Sequence, residues 1–298
     1  SHPDLIKFVT RWYQHIYEKY RKPNGVHTFH IQLDEVGREF CQCSDCSKLP
    51  MEQQLKDYTI TLVKHLVSVG VQNVVIYNDQ FTRHLGKNTL DQEFMQRLRD
   101  EGIYDHVIID WWAYNNAHTY PDTHPENGLG LRAWVKPMTC YFNWSVWDAR
   151  QRNIAVMLEV GHREGAEGAA SYSVYDPAWA LEFDALAEYS WNFRGAGPIH
   201  RFETKWAQMR ADDDVLEAIR WMDAAADGRR LRTLSYYTYT YEREGKAWPR
   251  PYPEEALAEF AHETEAIAFM AHAGARARTL LDSRSDEISR SLIPEAAR

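Results

Sequence analysis

His27-Thr-Phe-His-Ile-Gln-Leu33 is an apolar run of strand length that stops on two adjacent carboxylic acids, Asp34 and Glu35. The same pattern returns along the chain. Asn73-Val-Val-Ile-Tyr77 runs into Asn78-Asp79, and Val107-Ile-Ile-Asp-Trp-Trp112 runs towards Tyr114-Asn115. Two more strands are expected, Thr139-Cys-Tyr-Phe142 ending at Asn143-Trp144, and Ala169 to Val174 ending at Tyr175-Asp176-Pro177. Each run ends on aromatic, amide or carboxyl residues, and turn-forming or helical sequence lies between the runs.

The intervening segments carry helical spacing. Leu5, Phe8, Val9, Trp12, Tyr13, Ile16 and Tyr20 precede the first strand, and Lys22-Pro-Asn-Gly25 breaks that helix. Leu55, Tyr58, Leu62, Leu66 and Val67 mark a helix over 51–68. Further helices are expected over 91–100 and 148–162, and after the last strand around Leu181, Phe183, Leu186 and Tyr189. Strands that alternate with amphipathic helices imply an α/β fold with a parallel sheet. In a (β/α)8 TIM-type barrel the C-terminal strand ends converge on one pocket, which explains why the polar residues gather there. An open doubly wound sheet is the alternative, weakened because no glycine-rich phosphate loop follows any strand. Five strands are legible where a barrel has eight. The expectation is a partial barrel over 1–193, with another segment or chain completing it, and a C-terminal helical region over 194–298. That region opens at Gly195-Ala-Gly-Pro198 and carries an N-cap candidate at Asp212-Asp-Asp214. Helices are expected over 215–226, over 230–244, where the run Tyr236 to Tyr241 also alternates as a strand would, and, alanine-rich, over 254–281.

Composition narrows the partners. The formal net charge of −9 argues against a nucleic-acid backbone as ligand, since a polyanion binder needs a basic surface. No apolar run reaches membrane-spanning length, so a soluble protein is expected, cytoplasmic or exported. With 11 Trp and 17 Tyr the chain is rich in rings that serve as core or stack on sugar faces. Three of the four cysteines crowd into Cys41-Gln-Cys43-Ser-Asp-Cys46, and Cys140 stands alone. Such crowding suits a structural zinc held by Cys41, Cys43 and Cys46, with the fourth ligand from Cys140, a histidine or a residue elsewhere. Reduced thiols, or one disulfide with a spare, are the other reading. No catalytic cofactor is expected.

The carboxyl pair has a specific chemistry. Two acids held together disfavour double ionisation, so one stays protonated and can donate. Cleaving a glycosidic bond needs such a donor for the leaving oxygen. A cap on the following turn at Asp34 and a surface charge at Glu35 are the plainer alternative. The stretch resembles the fourth barrel strand of glycoside hydrolase family 20, the β-N-acetylhexosaminidases, which ends in an Asp-Glu pair. The resemblance implies that Glu35 is the general acid/base. It implies that Asp34 orients the substrate's 2-acetamido group, whose oxygen is the nucleophile. It extends more loosely over residues 27–193, where Trp111, Trp112, Tyr141 and Trp144 look like that family's aromatic lining and Ala185-Leu-Ala-Glu-Tyr-Ser-Trp191 like the helix after its last barrel strand. The chain departs from the family in having His30-Ile-Gln-Leu33 where His-x-Gly-Gly is usual, and Ser173-Val-Tyr175-Asp176 where Trp-Thr-Glu is usual. Phe40-Cys-Gln-Cys-Ser-Asp-Cys46 also resembles a bacterial group of barrel glycosidases related to family 20. Family 42 β-galactosidases are a rival likeness, with a Cys-x-Cys-x-x-Cys near strand four, but they need a glutamate nucleophile on strand seven. The segment aligned with that strand, 138–144, has none.

The expectation is therefore hydrolysis of a β-linked N-acetylhexosamine glycan. The candidate substrate-binding residues are His30, Asn78, Asp79, Trp111, Trp112, Tyr114, Asn115, Asn143, Trp144, Tyr175 and Asp176. The rivals are a non-catalytic carbohydrate-binding protein on a degenerate barrel, a zinc-stapled interaction domain, and a retaining barrel glycosidase such as a β-galactosidase.

Overall fold

The computed structural model describes residues 3–34, 43–82, 89–112, 130–139, 147–171, 180–209, 213–225, 268 and 271–282. The chain divides into two compact units that do not follow a single cut in the sequence. One holds residues 1–113, 121–136 and 160–170, the other 114–120, 137–159 and 171–298.

The first unit contains a five-stranded parallel sheet in the order β1-β2-β3-β4-β5. Its strands are β1 (Thr28–Gln32), β2 (Asn73–Tyr77), β3 (Val107–Trp112), β4 (Arg132–Lys136) and β5 (Gly168–Ala169). Helix α1 (Pro3–Ile16) leads into β1, α2 (Met51–Ser68) links β1 to β2, and α3 (Asp79–Thr82) with α4 (Gln92–Asp100) links β2 to β3. Helix α5 (Trp147–Arg163) precedes β5.

The fourth strand corrects the sequence reading. Thr139 is not in a strand, and 140–142 lie outside the described residues; β4 is Arg132–Lys136 instead. Arg-Ala-Trp-Val-Lys looks like loop because charges bracket it. Those charges are satisfied by neighbours. The Arg132 guanidinium donates to Glu167 at 2.7 Å and to Asn73 Oδ1 at 2.7 Å, and Lys136 Nζ reaches Asp110 Oδ2 at 3.3 Å. The fifth strand is described only at Gly168–Ala169, earlier than expected, and 172–179 lie outside the described residues.

Strand register divides the sheet into two unlike faces, because successive side chains alternate. Phe29, Ile31, Val74, Ile76, Val107, Ile109, Trp111, Ala133 and Val135 share one face, all apolar and all buried. The helices pack on this face. The Tyr13 ring of α1 lies 5.2 Å from Phe29, and Gly161 of α5 approaches so closely that a Cβ there would stand 2.7 Å from Val135 Cγ1. The opposite face mixes apolar Val75, Ile108 and Trp134 with Thr28, His30, Asn73, Tyr77, Asp110, Trp112, Arg132 and Lys136, and polar contacts tie it together across the strands.

Polar staples also fix the helices to one another. Lys56, 6% exposed on α2, binds Asp91 at 2.8 Å and Glu93. Asp91 caps α4 by accepting from the Phe94 N–H at 2.8 Å. Desolvation draws the Lys56 pKa down, but the hydrogen bonds and charges of Asp91 and Glu93 outweigh it, and the net shift is upward. Not all of α1 is covered. Leu5, Phe8 and Trp12 form an exposed apolar stripe, while Tyr13, Thr10 and Tyr17 turn inward.

The second unit is helical among its described residues: most of α5, then α6 (Ala180–Ala196), α7 (Ile199–Met209), α8 (Asp213–Ala225) and a helix over 271–282. Asn192 breaks the helical backbone within α6. Trp206 Nε1 donates to Asp184 Oδ2 at 2.8 Å, joining α7 to α6. Tyr189 donates to the Gly197 carbonyl at 2.7 Å, and burial pushes its phenol pKa up. Ala273, Ala277 and Leu281 are buried at helical spacing, as expected for the end of the alanine-rich segment. The segment 230–244 lies outside the described residues.

Candidate functional site

The C-terminal edges of β1, β2, β3 and β4 lie side by side, so their last residues form one polar cluster within the first unit. The β1 end is irregular. His30 pairs with Val75 and Gln32 with Ile76, so one residue is extra, which is the signature of a bulge. Gln32 and Leu33 follow with φ of 64° and 68°, the left-handed region. No other described non-glycine residue has positive φ. Each such residue costs roughly 1–2 kcal/mol in backbone strain. The next residue is Asp34, which is exposed. Glu35 lies outside the described residues.

A side-chain chain of contacts backs this kink. The Gln32 N–H donates to His30 Nδ1 at 2.9 Å. With Nδ1 accepting, the neutral imidazole carries its proton on Nε2 and donates to Asp110 Oδ2 at 3.0 Å. Lys136 Nζ meets the same oxygen at 3.3 Å. The Tyr77 ring sits 4.3 Å from the imidazole, and the Lys136 ammonium lies 5.1 Å from its centroid. Asp110 is wholly buried, and its Oδ1 has no hydrogen-bond partner among the described residues.

Asn78 and Asp79 are buried and serve the neighbouring strand. Asn78 Oδ1 accepts from the Trp112 backbone N–H at 3.1 Å, and Asp79 Oδ1 accepts from the Trp112 indole at 2.9 Å. The Asn78 N–H donates to the Asp110 carbonyl at 3.1 Å. The indole is thereby fixed while its ring remains partly exposed. Trp111 does not join it: alternation puts Trp111 on the apolar face, 5% exposed.

The structure thus brings together His30, Asn78, Asp79 and Trp112 around Asp110, while Asp34 stands exposed just after the β1 kink. Tyr114, Asn115, Tyr141, Asn143, Trp144, Tyr175 and Asp176 lie outside the described residues. Asp110, Lys136 and Tyr77 belong to the cluster and were not singled out from the sequence. Asp110 had a signal: a carboxylate within the apolar run Val107–Trp112 must find partners once buried. Lys136 had none, because its strand was assigned elsewhere.

In the cysteine segment, Cys43 is exposed and Cys46 buried. The Cys46 N–H donates to Cys43 Sγ at 3.5 Å, and Ser47 N–H to the Cys43 carbonyl at 2.9 Å. Cys41 and Cys140 lie outside the described residues, and among the described residues no cluster of three metal-binding side chains occurs. Nor is any described helix long and apolar enough to cross a membrane.

No protein-family model matches the chain, and no curated protein matches it in sequence. Among solved structures it is similar to an aspartate-to-asparagine variant of an O-GlcNAc hydrolase from Thermobaculum terrenum, with a TM-score of 0.53 at 14% identity. The similarity covers 92% of this chain and 58% of that one. It establishes a likeness of fold, and the chain spans little more than half the length of that structure.

Proposed function

We propose that the chain is a glycoside hydrolase acting on a β-linked N-acetylhexosamine by substrate-assisted catalysis. Glu35 serves as general acid/base and Asp34 holds and polarises the acetamido group, whose oxygen attacks the anomeric carbon. The observation that carries the reading is the polar edge itself: β1 releases Asp34 through a strained bulge, and two strands along the same sheet edge the Trp112 ring is already fixed in place. The fold likeness to an O-GlcNAc hydrolase supports the choice of sugar.

A barrel is the proposed architecture. An open doubly wound sheet carries helices on both faces and is apolar on both. Here the face away from the apolar layer mixes buried Val75 and Ile108 with the buried polar residues Asp110 and Lys136, a mixed lining that suits the inside of a closed barrel. The absence of any glutamate in Arg132–Lys136 favours a substrate nucleophile over a protein one.

A zinc ion held by the cysteine segment is a structural proposal only. In its favour, Cys43 Sγ already accepts an N–H from Cys46, a contact suited to a thiolate, and the two thiols sit in one turn. Metal analysis of purified protein against its Cys43→Ser and Cys46→Ser variants tests it, with loss of bound zinc in both expected.

The enzymatic reading is tested with an aryl N-acetyl-β-glucosaminide. Glu35→Gln should lower kcat by roughly 10²- to 10⁴-fold, and a thiazoline mimic of the cyclised intermediate should inhibit competitively. Wild-type-like turnover by Glu35→Gln removes the assignment. Binding without turnover by the wild type points to a lectin-like protein.

A further inference from the structure

We propose that His30 and Asp110 are positioning residues that lock the backbone kink at Gln32–Leu33 and so set the direction in which the chain leaves β1 at Asp34. This rests on the proposed role of the Asp34–Glu35 pair. Two consecutive side-chain-bearing residues in the left-handed region do not hold that conformation by local preference. Something must over-determine it. Among the described residues, the side-chain contact to the backbone of this pair is the His30 Nδ1 lone pair, which takes the Gln32 N–H at 2.9 Å.

That lone pair is available only in one tautomer and one ring orientation. Asp110 selects both, since its Oδ2 accepts the Nε2 proton at 3.0 Å. Asp110 itself cannot move away. It lies at 0% exposure in the middle of β3, with Lys136 on the same oxygen. The Tyr77 ring, packed on the imidazole, closes off rotation. The constraint passes from a buried carboxylate, through one imidazole, to the strained peptide before the acids. Neither residue need touch the substrate.

Four proteins test this: wild type, His30→Ala, the double variant Gln32→Gly/Leu33→Gly, and all three changes combined. Amide exchange of residue 32 is followed by NMR, and kcat and KM on the aryl N-acetyl-β-glucosaminide are measured in parallel. His30→Ala is expected to speed exchange at Gln32 at least tenfold and to lower kcat at least tenfold with KM within about twofold. In the glycine background, where left-handed backbone needs no lock, removing His30 should cost less than threefold in kcat. His30→Asn, which keeps a carbonyl oxygen near the place of Nδ1, should lose less than His30→Ala, and it stands in if the alanine variant does not fold. Unchanged exchange at Gln32, or an equal loss of kcat in both backgrounds, overturns the proposal. If the wild type turns over no hexosaminide, the glycosidase reading fails while the exchange data still decide the lock.

Discussion

The two faces of the sheet are built to different rules. On the helix-facing side, Val74, Ile76, Ile109 and Val135 make a dry apolar layer, and α5 approaches β4 at Gly161 with no room for a methyl group. On the other side Arg132 links Asn73 to Glu167 at one end of the strands, and His30, Asp110 and Lys136 form a second polar group nearer the other end. The first face depends on shape, so it tolerates loss of polarity and resists added volume. The second depends on partnership, so it resists the loss of any single partner.

Substitutions separate the two rules. The largest effect is expected from Lys136→Met, which leaves Asp110 buried without its cation and should cost about 3–5 kcal/mol of unfolding free energy in denaturant titrations. The double change Asp110→Leu/Lys136→Met should recover most of that loss, because a well-packed apolar pair can replace a buried ion pair at little cost. Recovery by neither residue alone but by both together would confirm that partnership is what the face requires. Next comes Gly161→Ala, where the new Cβ would press on Val135. Overpacking of this kind costs about 1–3 kcal/mol, read as a lower midpoint in the same titration. A neutral result would mean that α5 shifts freely, and that shape is not limiting on its face. Asn78→Ala strips the Trp112 N–H of its acceptor and should cost about 1–3 kcal/mol. The smallest effect is expected at the β1 exit. Leu33→Gly relieves left-handed strain while loosening the unfolded chain, and the two nearly cancel, leaving a change within about 1 kcal/mol.

Much of the first unit is legible as sequence because its strands are short apolar runs and the residues after them change character abruptly. Asn73–Tyr77, Val107–Trp112 and the helix Met51–Ser68 fall where periodicity puts them. Arg132–Lys136 does not, since its end charges are neutralised by Glu167 and Asp110, 35 and 26 residues away in sequence, a distance no local pattern reports. The site divides in the same way. That β1 ends on two acids is written in the sequence. That Gln32 and Leu33 take up left-handed backbone is not, because the usual marker for that conformation is glycine and neither residue is one. Asn78 and Asp79 read equally well as ligand-binding or structural, and only the contacts to Trp112 show that their oxygens are engaged within the fold.

Trp112 is held by its main chain and by its indole, through two consecutive residues of the preceding strand's exit. An aromatic side chain fixed in this way has already given up its rotational freedom when the protein folds. A flat ligand face laid against it would then meet a prepared wall rather than a swinging one, and the entropy of that contact would fall on the ligand alone.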